Sequence, residues 1–237
     1  MPFPVIMTTY ERTEYFINTV RSLEKSGHDL SQLMIYDDAS QSIEKQAALA
    51  SCGYQTMTAS TNKGPYQSMI AGISWGFNKG TSEYLIYTQD DVEYYPQCFI
   101  TAIELASMIN NDGYRLGILS LYHRSKNTKD EPYRIMQVGH PGAICWLITR
   151  DFWDTFIKGN RAPAERFTPN DERKAHFVRN LADYKICRYA HQTGFAVAHP
   201  RLSLVQHVGD ASSLSDRDMS FCRSTNYIGD VLNGQEK

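Results

Sequence analysis

Two pairs of adjacent aspartates each follow a short apolar run: Asp37-Asp38 after residues 33–36 (LMIY), and Asp90-Asp91 after residues 84–88 (YLIYT). Neighbouring carboxylates at the end of a buried strand repel each other and lose solvation, so they need a cationic partner. Hard oxygen donors with an open coordination sphere suit Mg²⁺ or Mn²⁺, and a diphosphate would complete the shell. Carboxylates at Asp37-Asp38 are placed to accept hydrogen bonds from a nucleobase imide or a ribose hydroxyl, as acidic residues do at nucleotide-binding strand ends. Structural readings compete at both turns, because Asp and Ser are favoured helix N-caps and Asp is a common turn residue. Tyr10, Tyr66, Trp146 and Trp153 are candidates for stacking on a base or sugar, although most aromatic residues pack in cores.

The elements that must position these residues alternate in type. Residues 3–8 read as a buried strand and 14–25 as an amphipathic helix with Phe16, Val20 and Leu23 on one face. Strands at 33–36, 54–59 and 84–88 follow, interleaved with helices at 43–50, 66–78 and 96–109. Such alternation predicts a parallel sheet with helices on both faces. Ligands of these sheets bind beyond the carboxyl ends of the strands, where both aspartate pairs fall. Beyond Arg115 the pattern is less regular. Strands are expected at 116–122 and 143–149, a polar loop at 124–132, and a helix from about Asp151. A loop at 160–170, a long helix over 171–192 and short strands at 196–198 and 202–205 complete the reading.

The composition is that of a globular chain: 237 residues, 42% hydrophobic and 21% charged. No run approaches the roughly 20 apolar residues of a membrane span, and no signal peptide is evident, so a soluble cytoplasmic protein is expected. Five widely spaced cysteines without a C-x-x-C pair fit reduced thiols and argue against structural zinc. The charge is uneven. Residues 1–114 hold 6 Lys/Arg against 13 Asp/Glu, whereas residues 115–207 hold 15 against 8. The second half is therefore suited to an anionic partner, with a scattered solvated surface as the competing reading. No repeat or linker divides the chain, so 1–237 reads as a single domain. The charge changes sign at the 114/115 boundary within it.

The segments VIMTTYERTEYFINTVRSL, MIYDDAS, Asn62-Lys63-Gly64 and YLIYTQDDVEYYP, in this order and spacing, resemble the donor half of family 2 and related GT-A glycosyltransferases. The resemblance implies an α/β GT-A fold, with a mostly parallel central sheet flanked by helices and a Rossmann-like N-terminal half; residues 1–114 are then the donor half, and 115–237 hold the acceptor half and a C-terminal loop. It implies a nucleotide diphosphate sugar as donor and Mn²⁺ or Mg²⁺ as cofactor. Thr8, Asp38 and Asn62 map to the nucleoside-binding positions, joined by Tyr10. The family's Asp-x-Asp motif maps to Gln89-Asp90-Asp91, with a neutral Gln89 in the first acidic place. Asp91 then becomes the metal ligand, and Asp90 lies near the donor sugar or ribose. His207 resembles the late histidine that supplies a further metal ligand. The 209–213 stretch after it reads as a loop that orders over bound donor. Gly142 and Ala143 open a segment similar to the acceptor-side strand, where a bare backbone permits close approach of the donor sugar. Asp183 sits where these enzymes place the base of an inverting transfer, with Asp171 and Glu172 as rivals and a helix-surface ion pair as the structural alternative.

The basic residues Arg161, Arg166, Arg173, Lys174, Arg179, Lys185 and Arg188 surround the expected base. They point to a soluble, anionic acceptor. That acceptor is either an anionic glycan or a nucleic acid whose modified base receives the sugar, in the manner of phage DNA-modifying glycosyltransferases. Two other functions remain open: a sugar-phosphate nucleotidyltransferase and a non-catalytic nucleotide-sugar binding module. The first normally needs a glycine-rich loop after the first strand, and Thr8-Thr9-Tyr10-Glu11-Arg12 contains no glycine.

Overall fold

A computed structural model describes residues 3–123, 131–137, 142–159, 182–209, 211–212, 215–218, 224 and 227–228. Its centre is an eight-stranded sheet. The strands are β1 (Val5–Thr9), β2 (Leu33–Asp37), β3 (Gln55–Thr58), β4 (Tyr84–Gln89), β6 (Leu116–Ser120), β7 (Tyr133–Met136), β8 (Cys145–Thr149) and β9 (Ala196–Pro200). Their order across the sheet is β3-β2-β1-β4-β8-β6-β9-β7. β1, β2, β3 and β4 pair in parallel, as do β6 and β9, while β8 and β7 run antiparallel to their neighbours.

The apolar residues of each strand alternate between two helical layers, as the period of two requires. Val5, Met7, Leu33, Ile35 and Ile86 meet α1 (Thr13–Lys25), α2 (Ile43–Ser51) and α4 (Cys98–Asn111). Ile6, Met34, Leu85 and Tyr87 meet α3 (Pro65–Asn78), α5 (Arg150–Gly159) and α6 (Ala182–Gln192). α3 lies unusually close to the sheet. A β-carbon on Gly76 would come within 2.5 Å of Leu85 Cδ1 and 2.7 Å of Ile6 Cγ1. Glycine therefore sets the depth at which α3 packs, and with it the position of the loop that feeds the helix.

A two-stranded ribbon, β5 (Val92–Tyr94) with β10 (Val205–His207), stands at the carboxyl edge of the sheet. β11 (Ala211–Ser212) and β12 (Ser215–Asp218) form a second small pair. Neither β5 nor β7 is expected from the sequence. β5 has three residues, and β7 is a half-buried edge strand without a clear apolar face. The strand expected at 202–205 begins later, at Val205, because Ser203 and Leu204 are spent on crossing to Leu121. No described helix is long and apolar enough to cross a membrane. The expected loop at 160–170, the first eleven residues of the long helix, Asp171, Glu172, Arg161, Arg166, Arg173, Lys174 and Arg179 lie outside the described residues.

Candidate active site

β4 ends at Gln89 and delivers Asp90 and Asp91 into the interior, at 1% and 2% exposure. The cations their burial demands come from this chain. Arg12, in the turn after β1, pairs through Nη1 with Asp91 Oδ2 at 2.7 Å and through Nη2 with Asp90 Oδ1. Lys45, on the buried face of α2, lies 3.8 Å from Asp90 Oδ2 and donates to Thr9 Oγ1. Thr9 in turn donates to Asp90 Oδ2 at 2.5 Å. Thr19 of α1 fixes the backbone of the pair, donating to the Asp90 carbonyl and accepting the Val92 N–H, both at 2.9 Å. The two carboxylates differ in consequence. Burial pushes Asp90 above the usual carboxylate range, with Arg12 opposing and Asp91 adding to the shift. Burial acts on Asp91 in the same sense, but the His207 hydrogen bond and the charge of Arg12 outweigh it and hold its carboxyl low.

The ribbon brings His207 to this pair. Antiparallel pairing sets His207 opposite Val92, and the Val208 N–H donates to the Asp91 carbonyl at 2.9 Å. His207 Nε2 lies 3.2 Å from Asp91 Oδ2, with both side chains almost wholly buried. Within the Asp91–His207 pair two atoms remain without a hydrogen-bond partner, Asp91 Oδ1 and His207 Nδ1. A buried carboxylate oxygen without a donor is an expensive acceptor, and a cation is what satisfies it. Among the described residues no three His, Cys, Asp or Glu side chains are arranged as a ligand set. Among those residues, the protein side of a metal shell would be Asp91 and His207.

Gly209 closes the same corner. A β-carbon there would sit 2.5 Å from Asp91 Oδ2. Asp91 is pinned by Arg12 and His207 and cannot retreat freely. If Asp91 holds a divalent cation, Gly209→Ala is expected to raise the Mn²⁺ concentration needed for half-maximal activity by about tenfold, roughly 1.4 kcal/mol. Gly209 is itself buried, so the added methyl overpacks the corner and should also cost the fold about 1–3 kcal/mol. A manganese titration of activity beside a melting curve checks both.

The second aspartate pair divides its roles. Asp37 folds back on its own turn, accepting from the Ser40 N–H and from Ser40 Oγ at 2.5 Å. Asp38 accepts the Lys63 and Gly64 N–H groups, each at 2.8 Å, and so ties the end of β2 to the loop before α3. Asn62 is exposed in that loop, its Oδ1 accepting from the Gly64 N–H at 3.1 Å. Thr8 and Tyr10, both half-buried, flank this edge, and Thr8 Oγ1 lies 3.0 Å from Tyr87 Oη. Asp38, Asn62, Thr8 and Tyr10 are therefore collected at one end of β1 and β2, one strand away from Asp91.

Gln89 has a structural task instead of a ligand's: its side-chain amide donates to the Ala143 carbonyl at 2.7 Å. Gly142, with φ +74°, and Ala143 are drawn to the end of β4 by this bond. Trp146 and Trp153 do not stack on a ligand. They are 0% and 2% exposed core residues, and Trp146 Nε1 is occupied by the Gly142 carbonyl. Asp183 is half-buried in the first turn of α6, accepting the Tyr184 N–H at 2.8 Å. Two residues on, Lys185 Nζ stands 6.0 Å from the ring centroid of Tyr66, in the first turn of α3. The starts of α6 and α3 thus share the edge that carries Asp38. Part of the basic half is consumed internally. Arg115 pairs with Asp151 at 2.8 Å, and Arg150 donates to the carbonyls of Phe77, Gly80 and Ser82.

The profile of glycosyl transferase family 2 matches residues 5–180. The chain belongs to that family. Among solved structures, this family 2 chain superposes on the mannosyltransferase PcManGT from Pyrobaculum calidifontis, in complex with GDP-Man and Mn²⁺, at 12% identity and a TM-score of 0.56. That match covers 84% of this chain and 54% of the other. It also superposes on residues 1–349 of S. aureus TarS in complex with UDP-GlcNAc, at 15% identity and a TM-score of 0.56, over 86% of this chain and 56% of the other. The chain therefore spans little more than half the length of these structures, and the likeness is one of fold, the GT-A arrangement. No curated protein matches it in sequence.

Missing from the sequence reading were Thr9, Arg12 and Lys45. Lys45 had a legible signal: it occupies, four residues before Leu49, the inward position of α2 where an apolar residue would be expected.

Proposed function

We propose that this chain transfers a sugar from a nucleotide diphosphate sugar to an acceptor hydroxyl, with inversion at the anomeric carbon. The observation that carries the reading is the placement of Asp38 and of the Asp91–His207 pair at the carboxyl ends of the two strands that flank β1, in a family 2 fold. Asp38, Thr8, Asn62 and Tyr10 would hold the nucleoside, and Asp90 would face the ribose or donor sugar. The Gly142–Ala143 backbone would admit the sugar closely. Mn²⁺ or Mg²⁺, held by Asp91 and His207 with diphosphate oxygens and water, would neutralise charge on the leaving diphosphate. This part of the reading is supported by the orphaned Asp91 Oδ1.

Asp183 is our candidate for the base. As the acceptor oxygen bonds to the anomeric carbon from the face opposite the diphosphate, its proton passes to the Asp183 carboxylate. The bond to the diphosphate oxygen breaks at the same time, and the nucleoside diphosphate leaves with the electron pair. The basic balance of residues 115–207 supports an anionic acceptor, with DNA carrying a modified base as one form. Absence of salt-dependent binding to duplex DNA in an anisotropy assay would remove that form. The cysteine pattern of the sequence supports a cytoplasmic setting.

Nucleoside diphosphate release from a panel of nucleotide sugars, GDP-Man and UDP-GlcNAc among them, tests the activity. One donor is expected to release its diphosphate with Mn²⁺ and to stop on chelation. Release from none, or formation of inorganic pyrophosphate from a nucleoside triphosphate and a sugar phosphate, would overturn the reading.

A further inference from the structure

We propose that Arg12 is an internal counter-ion for the aspartate pair: without donor it holds the place of the divalent cation, and a nucleoside diphosphate draws it away, so that cation and diphosphate enter together. The inference rests on the reading of Asp91 as the metal ligand and adds to it the order of occupancy.

The charge balance argues for it first. Two buried carboxylates face two cations of the chain, Arg12 and Lys45, so the cluster is neutral before any ligand arrives. A divalent ion added alone would leave two uncompensated positive charges in a buried site. A diphosphate brings negative charge that offsets them. One of the two cations is also free to leave. Lys45 is sealed at 0% exposure beneath Phe16, its Nζ 4.0 Å from the ring centroid, whereas the Arg12 side chain is 20% exposed at the mouth of the site.

The closed arrangement is moreover incompletely satisfied. Arg12 Nε is buried without an acceptor, and Asp91 Oδ1 without a donor. Arg12 reaches the pair from a turn in which two successive residues are left-handed, Glu11 at φ 53° and Arg12 at φ 35°. Non-glycine residues hold that conformation only under constraint. Here the constraint is Glu11: its N–H donates to Ser40 Oγ at 2.8 Å, and its carboxylate accepts the Gln41 and Ser42 N–H groups. Once released, a guanidinium is the side chain best suited to grip a diphosphate through paired N–H groups.

The test is Mn²⁺ binding to the full chain, read from the electron paramagnetic resonance signal of free Mn²⁺, with and without UDP or GDP. Wild type should bind Mn²⁺ weakly alone and about tenfold or more tightly with one of the diphosphates. R12Q should bind Mn²⁺ alone about tenfold more tightly than wild type and lose most of that coupling. R12K, whose point charge cannot bridge both carboxylates, should fall between them and serves if R12Q does not fold by circular dichroism. Diphosphate-dependent binding in wild type with no tightening in either variant would overturn the counter-ion role and leave the metal reading standing. Absence of Mn²⁺ binding by every form, with either diphosphate, would overturn both.

Discussion

Asp91→Asn is expected to lower kcat for sugar transfer by about a thousandfold or more, some 4 kcal/mol of transition-state stabilisation. The variant keeps the shape of the side chain and removes the charge that the low carboxyl of Asp91 keeps in place at neutral pH. The fold should suffer far less. Arg12 retains Asp90, and the backbone of the turn is held independently by Thr19 and by the Val208 N–H. A stability loss of about 1–2 kcal/mol is expected, a few degrees of melting temperature for a chain of this length. Turnover measured beside a melting curve separates the two effects. Turnover within tenfold of wild type would remove Asp91 from the chemistry.

The second large effect concerns stability and its pH dependence. Burial pulls the Lys45 ammonium from 10.5 down to about 8, with Asp90 and Asp37 only partly opposing. Its folded value lies below its unfolded value, so the unfolded chain binds the extra proton between those limits. Stability contributed by this group therefore rises as pH climbs from about 8 to 10.5, by up to about 3 kcal/mol. Lys45→Met removes the titrating group and fills similar volume. Relative to wild type, the variant should gain most at pH 7 and progressively lose that advantage by pH 10. Urea unfolding at pH 7, 8.5 and 10 gives the difference, and parallel profiles would show that Lys45 is not charged against its surroundings. A lysine that costs the fold this much fits a role in balancing the charge of Asp90 and Asp91.

The first 114 residues were legible because parallel strands buried on both faces read as continuous apolar runs. β1, β2 and β4 lie within two residues of their expected limits, and both aspartate pairs fall at the carboxyl edge as the alternation requires. What escaped depends on long-range pairing. β5 is three residues directly after the acidic pair, and only its union with β10, more than a hundred residues later, turns His207 onto Asp91. Arg12 looks like a surface charge in TTYERTEY until the left-handed turn folds it inward. Trp146 and Trp153 misled for a plain reason: composition marks an aromatic residue without saying which side of a strand or helix it takes.

The most direct test of a donor site at these strand ends is a thermal-shift titration of wild type and D91N with nucleoside diphosphates and their sugars, with and without Mn²⁺. The account predicts that one nucleotide stabilises wild type by several degrees only when Mn²⁺ is present, following mass action on the folded state. D91N should lose most of that shift. No nucleotide-dependent shift in wild type, or an equal shift in D91N, would contradict it.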